Sequence, residues 1–204
     1  MYLVKTPWWL QKIYSSALTW KMPAKRNEIF ITFDDGPHPT ITPFVLECLR
    51  KYNAKATFFC LGKNVQLCPQ IFKQILSEGH KAGNHTHNHL NGWKTSDSKY
   101  FENIILAKKY IDSDLFRPPY GKITRSQIQQ LLPTFNIIMW DVLSGDFDIN
   151  LSPQKCLHNV VSNTSPGSVI VFHDSEKALA RLEYALPEAL DFFSKKGYIM
   201  KAIG

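Results

Sequence analysis

The chain has 204 residues, 44% of them apolar, and a formal net charge of +7. That balance allows one ordinary hydrophobic core and excludes a disordered or fibrous chain. Its 24 lysines and arginines are scattered, with no basic run, zinc-finger spacing or RNA-binding signature, so a nucleic-acid partner is disfavoured and an anionic polymer is not.

Residues 1–27 read as an N-terminal arm and residues 28–204 as one catalytic domain. Lys5, Lys12 and Lys21 interrupt every apolar run of the arm, and no small-residue cleavage site follows, so no signal peptide is expected. No stretch approaches the ~20 apolar residues of a membrane-spanning helix. Taken alone, these features point to the cytoplasm or a membrane surface. Trp8, Trp9, Leu10, Ile13, Tyr14, Leu18 and Trp20 form an amphipathic set. They suit weak contact with a membrane surface, or an arm packing its aromatics on the domain. The second is favoured, because Pro7 and Pro23 leave room for only a short helix.

Glu28–Phe33 is a short β-branched and aromatic run that reads as the first buried strand, ended by Gly36-Pro37. Thr40 is placed to cap a helix reaching about Tyr52. Further strands are expected at Ala56–Leu61, Lys81–Asn84, Leu115–Phe116, Phe135–Trp140, Ser168–Phe172 and Tyr198–Ala202. Helices are expected at Pro69–Leu76, Ser96–Ile111, Thr124–Leu132 and Pro153–Asn163, with a last one ending at Lys195. Pro187 either opens that last helix or kinks a longer one. Strand and helix alternate almost throughout, which implies parallel strands with helical crossovers. About seven strands favour a (β/α) barrel, incomplete or distorted, over an open sheet. Cys48, Cys60, Cys68 and Cys156 form no C-x-x-C pair and read as free thiols.

Polar motifs follow the strands, at the end where parallel α/β folds build their sites. Asp34 and Asp35 end the first strand, and the Gly-Pro break lets both reach one cavity. A turn whose carboxylates merely cap backbone N–H groups is the plain alternative. His85 and His89 stand one helical turn apart and can converge on one ion with a neighbouring carboxylate. His87 has the wrong phase but is a substitute ligand by position. His38 and His80 read as rim or surface groups, and His158 as a helix-face group. Arg117, stiffened by Pro118-Pro119, can hold a carboxylate ionised, and Tyr120-Gly121 offers backbone N–H groups. Asp141 or Asp146, and His173, end later strands. His173 can donate a proton to a leaving group. Trp140, Phe147, Val171 and Phe172 are candidates to wall off a small acyl group.

The strings Thr-Phe-Asp-Asp-Gly-Pro, His-Thr-x-x-His and Arg-Pro-Pro-Tyr-Gly, in this order, resemble those of the polysaccharide deacetylases, the family-four carbohydrate esterases. The resemblance spans about Ile29 to Ile199. It implies a distorted (β/α) barrel that removes N-acetyl groups from amino sugars of a peptidoglycan or chitin-like polymer. A monomer is expected. The resemblance also implies one divalent metal, usually Zn²⁺ with Co²⁺ or Ni²⁺ as alternatives, on Asp35, His85 and His89. By the same resemblance Asp34 is the general base, Arg117 its orienting partner, and His173 the general acid with Asp146 behind it. Tyr120 contributes an oxyanion N–H. Family analogy points to the cell envelope. Three positions depart from the family's habit: Phe147 where Trp is frequent, Val171 where Leu is common, and Leu90 where Pro often follows the second histidine. Two other readings fit the residues: a related C–N hydrolase of a small non-sugar amide, and a non-catalytic glycan-binding module. The second has no need of a base, an acid and an arginine together.

Overall fold

Short apolar runs form strands and the amphipathic stretches between them form helices. The computed structural model describes residues 2–13, 17–24 and 26–204. The strands are β1 (Leu18–Thr19), β2 (Glu28–Asp34), β3 (Ala56–Cys60), β4 (Lys81–Asn84), β5 (Leu115–Phe116), β6 (Asn136–Ile138), β7 (Val142–Leu143), β8 (Val169–His173) and β9 (Ile199–Met200). The helices are α1 (Trp8–Ile13), α2 (Ile41–Lys51), α3 (Gly62–Leu67), α4 (Pro69–Ser77), α5 (Asp97–Lys108), α6 (Arg125–Leu131), α7 (Pro153–Asn163) and α8 (Leu179–Lys195). All seven expected strands form, and β1, β7 and α3 are additional. Pro187 lies inside α8, so the longer of the two expected helices is the one formed.

The strands run in the order β1-β6-β5-β4-β3-β2-β8-β7, with β9 added to β2, and neighbouring strands pair in parallel. The sheet curls into a half-barrel. Alternation along each strand decides what faces inward. Ile31 and Phe33 of β2 and Ile170 and Phe172 of β8 face the helices, where Phe33 stacks on Phe58 and Phe172. Thr32, Asp34, Val171 and His173 therefore face the other way. Each buried Phe of this layer contributes roughly 1.5–3 kcal/mol. The interior is filled by Phe30, Phe59, Leu115, Ile138, Val169 and Ile203.

β1 and β7 are the edges of the sheet, and the arm touches both. Leu18–Thr19 lies along β6, while Lys5 forms an antiparallel bridge to Val142 of β7. Leu143 N–H donates to the Val4 carbonyl at 2.8 Å, and Thr6 N–H donates to Asp141 at 3.0 Å. Lys5 Nζ donates to the buried Asp141 carboxylate at 2.7 Å and to the Asn163 carbonyl at 2.6 Å. Trp8 and Trp9 are exposed, Leu18 and Trp20 are buried, and Tyr14 lies outside the described residues.

Three local expectations are corrected. Thr40 is the N-cap residue of α2, but its side chain makes no cap bond; the His38 ring accepts from the N–H groups of Thr40 and Ile41 instead. His80 is buried, not a rim group. Its Nδ1 accepts from Ala56 N–H at 3.2 Å, and burial pushes its pKa down to about 4, which keeps the ring a neutral acceptor. Phe172 faces the helices and the core, away from any acyl pocket. The four cysteines are free thiols.

Candidate active site

Register builds the site. Asp34 of β2 lies opposite both Phe59 of β3 and His173 of β8. Cys60 of β3 lies opposite Asn84 of β4, and Asn84 opposite Phe116 of β5. The residues that follow β4 and β5, His85 and Arg117, thus emerge level with Asp34 at the carboxyl end of the sheet. Asp34, His85 and His173 line a cavity of about 650 Å³, within the range of small-molecule sites, and Arg117 lies behind its floor.

Arg117 is fully buried and holds Asp34 from beneath, Nη1 to Oδ1 at 2.7 Å. Its other N–H groups donate to Thr32 Oγ1 at 2.7 Å, Ile138 O at 3.2 Å and Met139 O at 3.0 Å. The guanidinium stacks 4.0 Å from the Phe59 ring centre. A charge pair this deep is tolerable only because its donors are matched. The match fixes one orientation for the Asp34 carboxylate.

Asp35 turns back toward the same cavity because its backbone is left-handed, with φ of 83°. Thr86, His89 and Tyr120 share that region, with φ of 66°, 59° and 60°. Such conformations cost about 1–3 kcal/mol each and concentrate where a site dictates backbone shape. The turn after Asp35 is pinned by Asp174. Its carboxylate accepts from Gly36 N–H at 3.0 Å and from Thr42 Oγ1 at 2.5 Å, and a Cβ at position 36 would overlap it. Burial raises the Asp174 pKa to about 7.

Asp35, His85 and His89 offer one ligand atom each, all within 4.8 Å of one another. Asp35 Oδ1 lies 3.2 Å from His89 Nε2 and 3.8 Å from His85 Nε2, and it has no hydrogen-bond partner although buried. His85 Nδ1 sits 2.7 Å from the Arg117 carbonyl, and His89 Nδ1 sits 3.1 Å from the Tyr120 hydroxyl. With Nδ1–H as donor in both rings, both Nε2 lone pairs face Asp35. Burial, and then the neighbouring His89, press the His85 pKa down to about 3. Burial lowers that of His89 too. Two neutral imidazoles and an orphaned carboxylate oxygen fit a divalent ion with open positions.

On the opposite side, His173 is gripped by Asp146 through two contacts of 2.7 Å, one from its backbone N–H and one at Nδ1. Burial works to lower the His173 pKa, but the Asp146 carboxylate outweighs it, and the value stands at about 9. The ring is therefore protonated at neutral pH, with Nδ1 committed to Asp146. Phe147 packs edge-on against it at 5.2 Å. Trp140, Val171, Phe147 and the exposed Tyr120 line the same cavity. Gly121 lets Trp140 approach: at φ 64°, a Cβ there would sit 2.8 Å from the indole.

Of the expected residues, Arg117 and Asp146 stand behind the lining, where they hold Asp34 and His173, and His87, Asp141 and Phe172 lie away from the cavity. The His87 ring is buried against Tyr110 and Gly62, apart from the three ligand atoms. Asp141 serves the arm, with further bonds from Ser168 Oγ and Val169 N–H. The sequence reading missed Tyr2, Leu143, Ser175, Glu176 and Lys177, which also line the cavity. Leu143 lies opposite the cavity-lining Val171 of β8, a pairing too short to show in the sequence, and Tyr2 carries no sequence signal for this location.

The family model described as polysaccharide deacetylase matches residues 21–132. A peptidoglycan-N-acetylglucosamine deacetylase of Bacillus cereus is 37% identical over 188 residues, covering 89% of this chain and 88% of the relative. A chitooligosaccharide deacetylase of Azorhizobium caulinodans is 32% identical over 163 residues, covering 76% and 77%. The crystal structure of the Bc1960 peptidoglycan N-acetylglucosamine deacetylase superposes with a TM-score of 0.87 at 32% identity, covering 97% of this chain and 95% of that one. By sequence and by fold, this chain belongs to the polysaccharide deacetylases, the family-four carbohydrate esterases.

Proposed function

We propose that this protein is a metal-dependent hydrolase that removes N-acetyl groups from the amino sugars of peptidoglycan or a chitin-like oligomer. The observation that carries the reading is the meeting of three groups at one cavity: the Asp35, His85 and His89 donors, the Asp34–Arg117 pair, and the His173–Asp146 pair. Relatives named for peptidoglycan and chitooligosaccharide deacetylation support the substrate class. Relatives named for peptidoglycan deacetylation support action at the cell envelope. No described helix is long and apolar enough to cross a membrane.

A divalent ion held by Asp35, His85 and His89, most simply Zn²⁺, would polarise the acetamide carbonyl and acidify a water. Asp34 accepts the proton of the attacking water, with Arg117 keeping its carboxylate aimed at the cavity. Tyr120 N–H donates to the oxygen that gains charge, a contribution of about 3 kcal/mol for one such donor. His173 Nε2 gives its proton to the departing amine, while Asp146 holds the ring by Nδ1 and stabilises its charged form. Trp140, Phe147 and Val171 keep water from the acetyl methyl group. The test is acetate release from peptidoglycan and N-acetylglucosamine oligomers, with chelator and with zinc restored. The expected result is release that chelator abolishes and zinc returns. No release from any of these glycans, or release indifferent to chelator, overturns the reading.

A further inference from the structure

Tyr2 stands well ahead of Asp34, His89 and His173 in sequence, yet it lines the cavity together with them. Its ring lies 5.0 Å from the Phe147 ring at an interplanar angle of 59°, so the two rings form an open corner. Its hydroxyl donates to Asp148 Oδ2 at 3.1 Å and sits so close over Gly145 that a Cβ there would lie 2.8 Å from it. Phe147 in turn abuts His173. Tyr2 is therefore one aromatic ring further from the reacting centre than Phe147. The segment behind it is anchored: Val4, Lys5 and Thr6 are bonded to the β7 edge and to Asp141. A residue held this way is part of the wall and is presented in a set orientation.

We propose that Tyr2 and Phe147 form an aromatic corner that receives the sugar residue adjoining the one being deacetylated, making the arm a determinant of chain-length preference. This rests on the glycan reading above. The chemistry favours it. A pyranose presents an apolar C–H face and a polar rim, and Tyr pairs a large apolar face with a polar tip. The Tyr2 hydroxyl is already occupied by Asp148, which leaves the ring as the contacting surface. Lys177 Nζ lies 6.0 Å from the Phe147 ring and edges the same corner with a positive charge, which suits hydroxyl-rich or anionic substituents at the rim.

The experiment compares parental protein, Tyr2→Ala and Tyr2→Phe, each with zinc supplied, on N-acetylglucosamine oligomers from dimer to pentamer. For Tyr2→Ala, KM for the tetramer is expected to rise about ten-fold, on the scale of one lost aromatic contact, with a smaller change in kcat and a weaker gain from dimer to tetramer. Tyr2→Phe keeps the ring and is expected to recover most of the affinity. Unchanged KM in Tyr2→Ala overturns the proposal. So does a Tyr2→Phe defect as large as that of Tyr2→Ala, because the hydroxyl latch and not the ring would then be responsible. If parental protein releases no acetate, the glycan reading fails separately, and the corner is judged by calorimetric titration with the tetramer. Binding weakened about ten-fold in Tyr2→Ala supports it. Equal binding, or none by parental protein, overturns it.

Discussion

At the floor of the cavity, side chains come from the ends of neighbouring parallel strands, and each is locked by a buried partner: Asp34 by Arg117, His173 by Asp146, His85 by the Arg117 carbonyl. At the outer wall, Tyr2 comes from a segment held to the sheet edge by Lys5, Thr6 and two backbone bonds. The floor shares its bonds with the core, so a change there disturbs chemistry and fold together. The wall shares few, so it can vary in affinity for substrate while the floor stays intact.

The sharpest way to break this contrast is at the proposed base. Asp34→Asn keeps a neutral acceptor for Arg117 and should lower kcat by about 10²–10⁴-fold with metal content unchanged. Acetate release at the parental rate would remove Asp34 from that role. Next, His85→Ala should abolish the thermal stabilisation that added zinc gives the parental protein, which is about 2.7 kcal/mol at a hundred times Kd. An unchanged zinc-dependent melting shift would strike His85 from the ligand set.

The pH profile comes third. His173 has a raised pKa of about 9, so its ring carries a proton below that pH and loses it above. An acid role therefore predicts a kcat that falls as pH rises through about 9, and Asp146→Asn should move that limb down by about 1–3 pH units. A limb that stays in place would uncouple the pair from turnover. The same raised value means that the pair stabilises the fold fully below the ordinary histidine value of 6.5, and that this contribution is lost as pH rises to about 9. The smallest expected effect belongs to the wall. Lys5→Met leaves the buried Asp141 with fewer donors and should lower unfolding free energy by about 1–3 kcal/mol in a denaturant titration. KM should rise while kcat changes little. A kcat loss like that of Asp34→Asn would show that wall and floor are not separable.

Much of the floor was legible because its signals are local. Asp34-Asp35 ends a run of buried residues, His85 and His89 follow another, and Arg117 and His173 follow two more, so chain order alone places them at one end of a parallel sheet. What failed did so where a partner lay far off. His80 looked solvated until Ala56 N–H, 24 residues away, proved to need an acceptor. Phe172 stands beside His173 in sequence and so reads as a pocket residue, yet strand parity turns it outward, and β1 and β7, two residues each, have no pattern of their own.

Short-range covalent order, hydrophobic periodicity and the breaks made by Gly and Pro were enough to define the alternating α/β architecture and which residues stand at the strand ends. Only the tertiary structure decided how the half-barrel's edges are covered and which aromatic ring forms the outer wall. Tyr2 meets Asp148 across 146 positions of sequence. No period links such residues. Their contact exists because curling the sheet brings its β7 edge beside the arm.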